Sequence, residues 1–155
     1  MTRTCAPAER SGGRATAFVC DDLNNANAAR ESSEDGTSAA PRRCESVCAI
    51  QLAKDLAEVP AEAVKKMVIA YEPVWAIGTG LVCPSDTAQK VHAFIRSKIA
   101  SMYDQATADA VRIQYGGSVS PESVDELMAK PDIDGCLVGG ASLKGDAFGR
   151  ILNYE

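Results

Sequence analysis

The chain has 155 residues and a formal net charge of −5, with 46% hydrophobic and 24% charged residues. That length allows one domain with a substantial core, and the acidic balance argues against nucleic acid and anionic membrane surfaces, which select basic faces. No apolar run of about 18 residues is present, so no membrane span is expected, and the opening Met1-Thr2-Arg3-Thr4-Cys5 lacks the apolar stretch of a secretory signal, so the expected location is the cytoplasm.

Residues 1–44 are rich in Ser, Ala, Arg, Asp and Asn and show no sustained period of two or 3.6. Phe18-Val19-Cys20 hints at a short strand, while Asp21–Asn25 and Ser32–Gly36 read as loop or disorder, so this region is expected to be irregular and 45–155 to form the folded unit. From Cys48 the pattern becomes regular. Ala49, Leu52, Ala53 and Leu56 recur at helical spacing and Pro60 lies just beyond. Met67–Tyr71 reads as a buried parallel strand. Ala88, Val91, Ile95, Ile99 and Met102 then mark one face of a helix, with Ser85 or Asp86 as a plausible cap. Val111–Tyr115 is a second strand. Ser120 with Pro121 predicts the start of a helix whose apolar face is Val124, Leu127 and Met128, ended by Lys130-Pro131. Ile133–Val138 is a third strand, and a last short helix runs near Phe148–Leu152. Strands alternating with helices imply βαβ units and a parallel sheet.

The chemistry-bearing run is Tyr71-Glu72-Pro73-Val74-Trp75-Ala76-Ile77-Gly78-Thr79-Gly80. It places a carboxylate at the carboxyl end of a parallel strand, where α/β active sites lie. Rigid Pro73 opens the following segment and two glycines close it, which suits a hinged lid. A poorly hydrated carboxylate there would be a strengthened general base; on local context alone, a structural ion pair is an equal reading. Gly116-Gly117-Ser118 and Gly139-Gly140 each follow a strand, where bare backbone N–H groups can approach an anion, although ordinary tight turns use the same residues. Six cysteines (Cys5, Cys20, Cys44, Cys48, Cys83 and Cys136) form no compact framework and one histidine is too few for the common zinc patterns, so reduced thiols and no metal site are expected.

In order and spacing, Tyr71–Gly80, Tyr115–Ser118 and Leu137–Leu143 resemble the signature motifs of the triosephosphate isomerase family, over about residues 47–154, with residues 1–44 unmatched. The resemblance implies an α/β fold: the C-terminal portion of a (β/α)8 TIM barrel, its strands equivalent to the sixth, seventh and eighth, and incomplete against a barrel of about 250 residues. It implies cofactor-free interconversion of dihydroxyacetone phosphate and glyceraldehyde 3-phosphate by proton transfer through an enediolate, in glycolysis and gluconeogenesis. Glu72 is then the catalytic base. Gly78, Ser118, Gly139 and Gly140 hold the phosphate, and Pro73, Val74, Trp75, Ala76, Ile77, Gly78, Thr79 and Gly80 form the lid. The partner is a small phosphorylated triose, and the family pairs as a homodimer through loops that belong largely to its first half. At the lid's carboxyl-side hinge the family commonly has Lys-Thr-Ala, where this chain has Leu81-Val82-Cys83. The family's catalytic Lys and carbonyl-polarising His also come from the first half, and residues 1–44 contain neither residue type. His92 falls at a structural position of the family. The chain by itself is therefore expected to be inactive. The alternative is a non-catalytic truncated fragment that keeps a phosphate-binding rim; a different phosphate-binding barrel enzyme would leave Tyr71–Gly80 unexplained.

Overall fold

A computed structural model of the chain describes residues 15–20, 39–77 and 82–155. In chain order these form β1 (Ala15–Cys20), α1 (Ala39–Asp55), α2 (Ala61–Val64), β2 (Val68–Pro73), a 3-10 turn (Val74–Ala76), α3 (Ser85–Met102), α4 (Gln105–Ala110), β3 (Arg112–Tyr115), α5 (Val124–Met128), β4 (Gly135–Cys136), a second 3-10 turn (Gly140–Leu143) and α6 (Gly145–Leu152). The four strands make one parallel sheet in the order β1-β2-β3-β4. No helix among the described residues is long and apolar enough to cross a membrane.

The sheet sets which side chains meet. Successive residues of a strand face opposite sides. In β2, Ile69 and Tyr71 are buried, and their register partners in β3, Ile113 and Tyr115, are buried with them. These four join the core with Leu52 of α1 and with Ala88, Val91, Ile95 and Ile99 of α3. The latter four are the expected apolar face of that helix; Met102 packs on it half-buried. Val68, Glu72 and Gln114 belong to the other face and are half-buried, and Arg112 beside them is exposed.

The structure revises several expectations. The sheet has a fourth strand, β1, which includes Phe18–Cys20 and pairs with β2 from Ala15 opposite Val68 to Cys20 opposite Pro73. Most of the region expected to be irregular, residues 1–14 and 21–38, lies outside the described residues. Helix α1 begins well before Cys48, and its buried stripe is Cys44, Cys48 and Leu52, spaced four apart, while Ala53 is exposed. Pro41 is tolerated there because the N–H groups of a helix's first turn have no intrahelical acceptor, so none of its hydrogen bonds is lost. Pro84, not Ser85 or Asp86, occupies the cap of α3. Ser85 Oγ instead donates to the Glu126 carboxylate, and Asp86 pairs with Lys130. Helix α5 starts at Val124, after a turn in which the Ser123 hydroxyl accepts from Ser120 N–H at 3.0 Å. The third expected strand shrinks to Gly135–Cys136. The Asp134 carboxylate takes the Ile113 N–H at 2.8 Å, where a strand carbonyl would otherwise sit, so the ladder opens one residue later.

Candidate active site

Glu72, Ser118 and Gly139-Gly140 follow, or end, three adjacent parallel strands, so they share the carboxyl rim of the sheet. Glu72 is the penultimate residue of β2, and Pro73 turns the chain into the 3-10 segment Val74–Ala76, closed by Ile77 N–H donating to Val74 O at 3.1 Å. Ala76 is buried and Trp75 packs against the core, which anchors the amino side of the expected lid. Gly78, Thr79 and Gly80, the remaining lid positions, lie outside the described residues, as does Leu81.

The loop leaving β3 is sewn to the strand that carries Glu72. Gly116 N–H donates to Tyr71 O at 2.8 Å. A methyl group at Gly116 would sit 2.6 Å from Glu72 Cγ, far inside contact distance, so glycine here leaves the space that the carboxylate side chain occupies. At Gly117 a Cβ would lie 2.2 Å from the Tyr115 hydroxyl oxygen and 2.9 Å from Pro73 Cγ. Gly139 and Gly140 differ: a Cβ at either would meet nothing within 4 Å. Their bareness serves open space rather than packing.

That space is a cavity of about 330 Å3, lined by Ile77, Val82, Gly116, Gly117, Ser118, Val119, Ser120, Ser123, Gly139 and Gly140. It brings together three of the four expected phosphate positions (Ser118, Gly139 and Gly140) with Ile77, the last described residue of the lid. Glu72 is not among its lining residues; it stands behind Gly116, one residue removed. Ser118 is exposed and its hydroxyl donates to Ala76 O at 3.2 Å, linking the β3 loop to the lid's amino side. The Gly139 carbonyl accepts from the Ser142 N–H and hydroxyl, at 2.9 and 2.7 Å, which holds the turn after Gly140. Sequence reasoning treated Ser120 as a helix cap and passed over Ser123. The Ser-Pro-Glu-Ser spacing, which closes a turn and sets two hydroxyls on the cavity wall, was the available signal.

Two groups behind the rim are inert. His92 is fully buried, its Nδ1–H donates to Asp132 O at 3.2 Å, and its ring meets Tyr71 edge-on at 5.7 Å between centroids. Burial pushes its pKa down to about 4, so the ring is neutral at physiological pH. Cys83, at the lid's carboxyl hinge, is buried against Tyr115, and burial pushes its thiol up to about 11. Among the described residues, no cluster of His, Cys, Asp and Glu could hold a metal ion.

The family model described as triosephosphate isomerase matches residues 31–155. The triosephosphate isomerase of Herpetosiphon aurantiacus is 59% identical over 113 residues, covering 73% of this chain and 45% of its own. Its counterpart from Streptomyces avermitilis is 61% identical over 105 residues, covering 68% and 41%, and that from Chloroflexus aurantiacus is 51% identical over 113 residues, covering 73% and 45%. The chain thus spans less than half the length of these curated relatives.

Proposed function

The chain belongs to the triosephosphate isomerase family, and on that premise we propose that Glu72 is the general base of a triosephosphate isomerase reaction and that the adjoining cavity receives the substrate's phosphate. The carboxylate takes the proton from the carbon beside the carbonyl, an enediolate forms, and the same group returns the proton to the neighbouring carbon. A positioned base of this kind contributes roughly 10²–10⁴-fold in rate. The Ser118 hydroxyl and the backbone N–H groups at Gly139 and Gly140 face the phosphate, with Gly78 joining them from the lid. An acidic chain can hold an anion this way because the donors are local dipoles. Pro73–Gly80 closes over the enediolate and excludes water. The compartment is the cytoplasm and no cofactor takes part.

The observation that carries this reading is the packing of Glu72 Cγ onto bare Gly116, which is itself part of the cavity wall shared with Ser118 and Gly139. The reaction also needs an electrophile at the carbonyl oxygen and a cation near the phosphate. The only histidine is buried away from the rim, so the 155-residue chain by itself is expected to bind phosphate without turning over substrate. Titrating the 15N-labelled chain with inorganic phosphate tests the cradle. Saturable amide shifts at Ser118, Gly139 and Gly140, weakened about tenfold by Ser118→Ala, are expected. Unmoved rim amides at tens of millimolar phosphate would remove the cradle from the account.

A further inference from the structure

We propose that the Ser123 hydroxyl is a further donor to the phosphate, beside Ser118 and the backbone at Gly139 and Gly140. The inference rests on reading the cavity as a phosphate site, and it adds a residue to that site. Three serines lie on the cavity wall: Ser118, Ser120 and Ser123. A hydroxyl has a single hydrogen to donate, so the bonds already made decide which of the three is free for an anion. Ser118 Oγ donates to Ala76 O at 3.2 Å. Two acceptors compete for the Ser120 hydrogen. One is Ser123 Oγ at 3.3 Å; the other is the Glu122 carboxylate, which that hydroxyl holds below the usual carboxylate range.

Ser123 differs. Its Oγ accepts the Ser120 N–H at 3.0 Å, which fixes the oxygen in the turn, while its own hydrogen reaches only Ser120 O, at 3.4 Å. That is the longest of these bonds and the easiest to exchange. A phosphate oxygen is a better acceptor, since O–H···O⁻ bonds close to about 2.5–2.7 Å and are roughly twice as strong as neutral ones. Rotation about Cβ–Oγ re-aims the hydrogen without moving the oxygen. Charge decides the side from which the anion comes. Ser123 also lines a second cavity of about 210 Å3, whose wall includes Asp86 and Glu126. These carboxylates are held by Lys130 and by Ser85 Oγ, and they make that side unfit for an anion. The described wall of the first cavity carries no charged side chain. Its donors are hydroxyls and backbone N–H groups, so each hydroxyl bears a larger share of the binding.

Inorganic phosphate titrated into the 15N-labelled chain, native and with Ser123→Ala, Ser123→Thr or Ser120→Ala, tests this. The dissociation constant should rise about tenfold for Ser123→Ala, which loses the donor. It should return to within about twofold of native for Ser123→Thr, which keeps the hydroxyl, and stay within about twofold for Ser120→Ala. If Ser123→Ala unfolds, Ser123→Cys carries the same test, since a thiol of similar shape is a weak donor. An unchanged constant in Ser123→Ala would overturn the proposal, and the cradle would still stand if Ser118→Ala weakened binding. A loss that Ser123→Thr fails to restore, or an equal loss in Ser120→Ala, would mark a defect of the turn and overturn it as well. No saturable binding by the native chain would remove both the cradle and Ser123's part in it.

Discussion

Gly116 is where the account is most sensitive to a single methyl group. With only 2.6 Å between a Cβ at that position and Glu72 Cγ, Gly116→Ala must displace the carboxylate or the loop. A misplacement of about 1 Å at a reacting group costs roughly 10²-fold. Gly139→Ala meets open space and should leave the position of Glu72 unchanged. In a hybrid chain, with residues 1–46 replaced by the first half of a family member, turnover should fall about 100-fold for Gly116→Ala; equal losses in both variants would show that Gly116 has no special relation to Glu72. His92 makes a different prediction. Its folded pKa, about 4, lies below its ordinary 6.5, so the unfolded chain binds a proton in this interval that the folded chain refuses. Stability therefore falls as pH drops from about 6.5 to about 4, at up to about 1.4 kcal/mol per pH unit. Melting temperature against pH should be flatter over that interval for His92→Gln than for the native chain; parallel curves would contradict a buried neutral imidazole. The sequence reading had His92 as structural because of its place on the helix after the lid, and burial supplies the physical reason.

Among the elements, α3 does the positioning. Arg96 projects from it to Asp132 Oδ1 at 2.8 Å and Asp134 Oδ2 at 2.6 Å, and also donates to Ala108 O at 2.8 Å and Val111 O at 3.2 Å. One guanidinium therefore ties the segment before β3 to the segment before β4, and Asp134 passes the constraint on through the Ile113 N–H. Arg96→Met leaves two partly buried carboxylates facing each other and should cost roughly 3 kcal/mol, read as a lower urea midpoint at unchanged slope. A midpoint within error of the native chain would make the cluster incidental. None of this was legible in the sequence, because an arginine and two aspartates about 36 residues apart carry no local period. The helices and strands that were legible, such as α3 and β3, have apolar residues at fixed spacing. Those that were missed failed for identifiable reasons. Two of the three residues in the buried stripe of α1 are cysteines, which the sequence presents as thiols rather than as core. Strand β1 is held by a neighbour in the sheet, with only Phe18-Val19-Cys20 to announce it. Strand β4 was overdrawn because Ile133, Cys136, Leu137 and Val138 read as an apolar strand, while Asp134 among them diverts a ladder bond. The rim itself was legible, since Glu72, Gly116-Gly117-Ser118 and Gly139-Gly140 each sit where an apolar strand stops. The serines at 120 and 123 on the cavity wall were not, because their side chains are engaged in a turn.

For the whole molecule, the proposal is that this chain carries one part of an isomerase site, the base and the phosphate cradle, on part of the barrel. The remaining chemistry must come from strands this sheet does not supply. A folded chain that binds phosphate without turnover is therefore the expected behaviour of the 155 residues. Losing a single oxyanion-type donor costs roughly 10²–10³ in rate, so the absence of both partner groups should put turnover below detection. The measurement that bears most directly on the central claim is a coupled assay of triose phosphate interconversion on three proteins: the native chain, the hybrid in which a family first half replaces residues 1–46, and that hybrid carrying Glu72→Gln. The account predicts no turnover for the native chain, measurable turnover for the hybrid, and a loss of at least about 10²-fold on Glu72→Gln. Turnover by the native chain, or a Glu72→Gln hybrid as active as its parent, would contradict it.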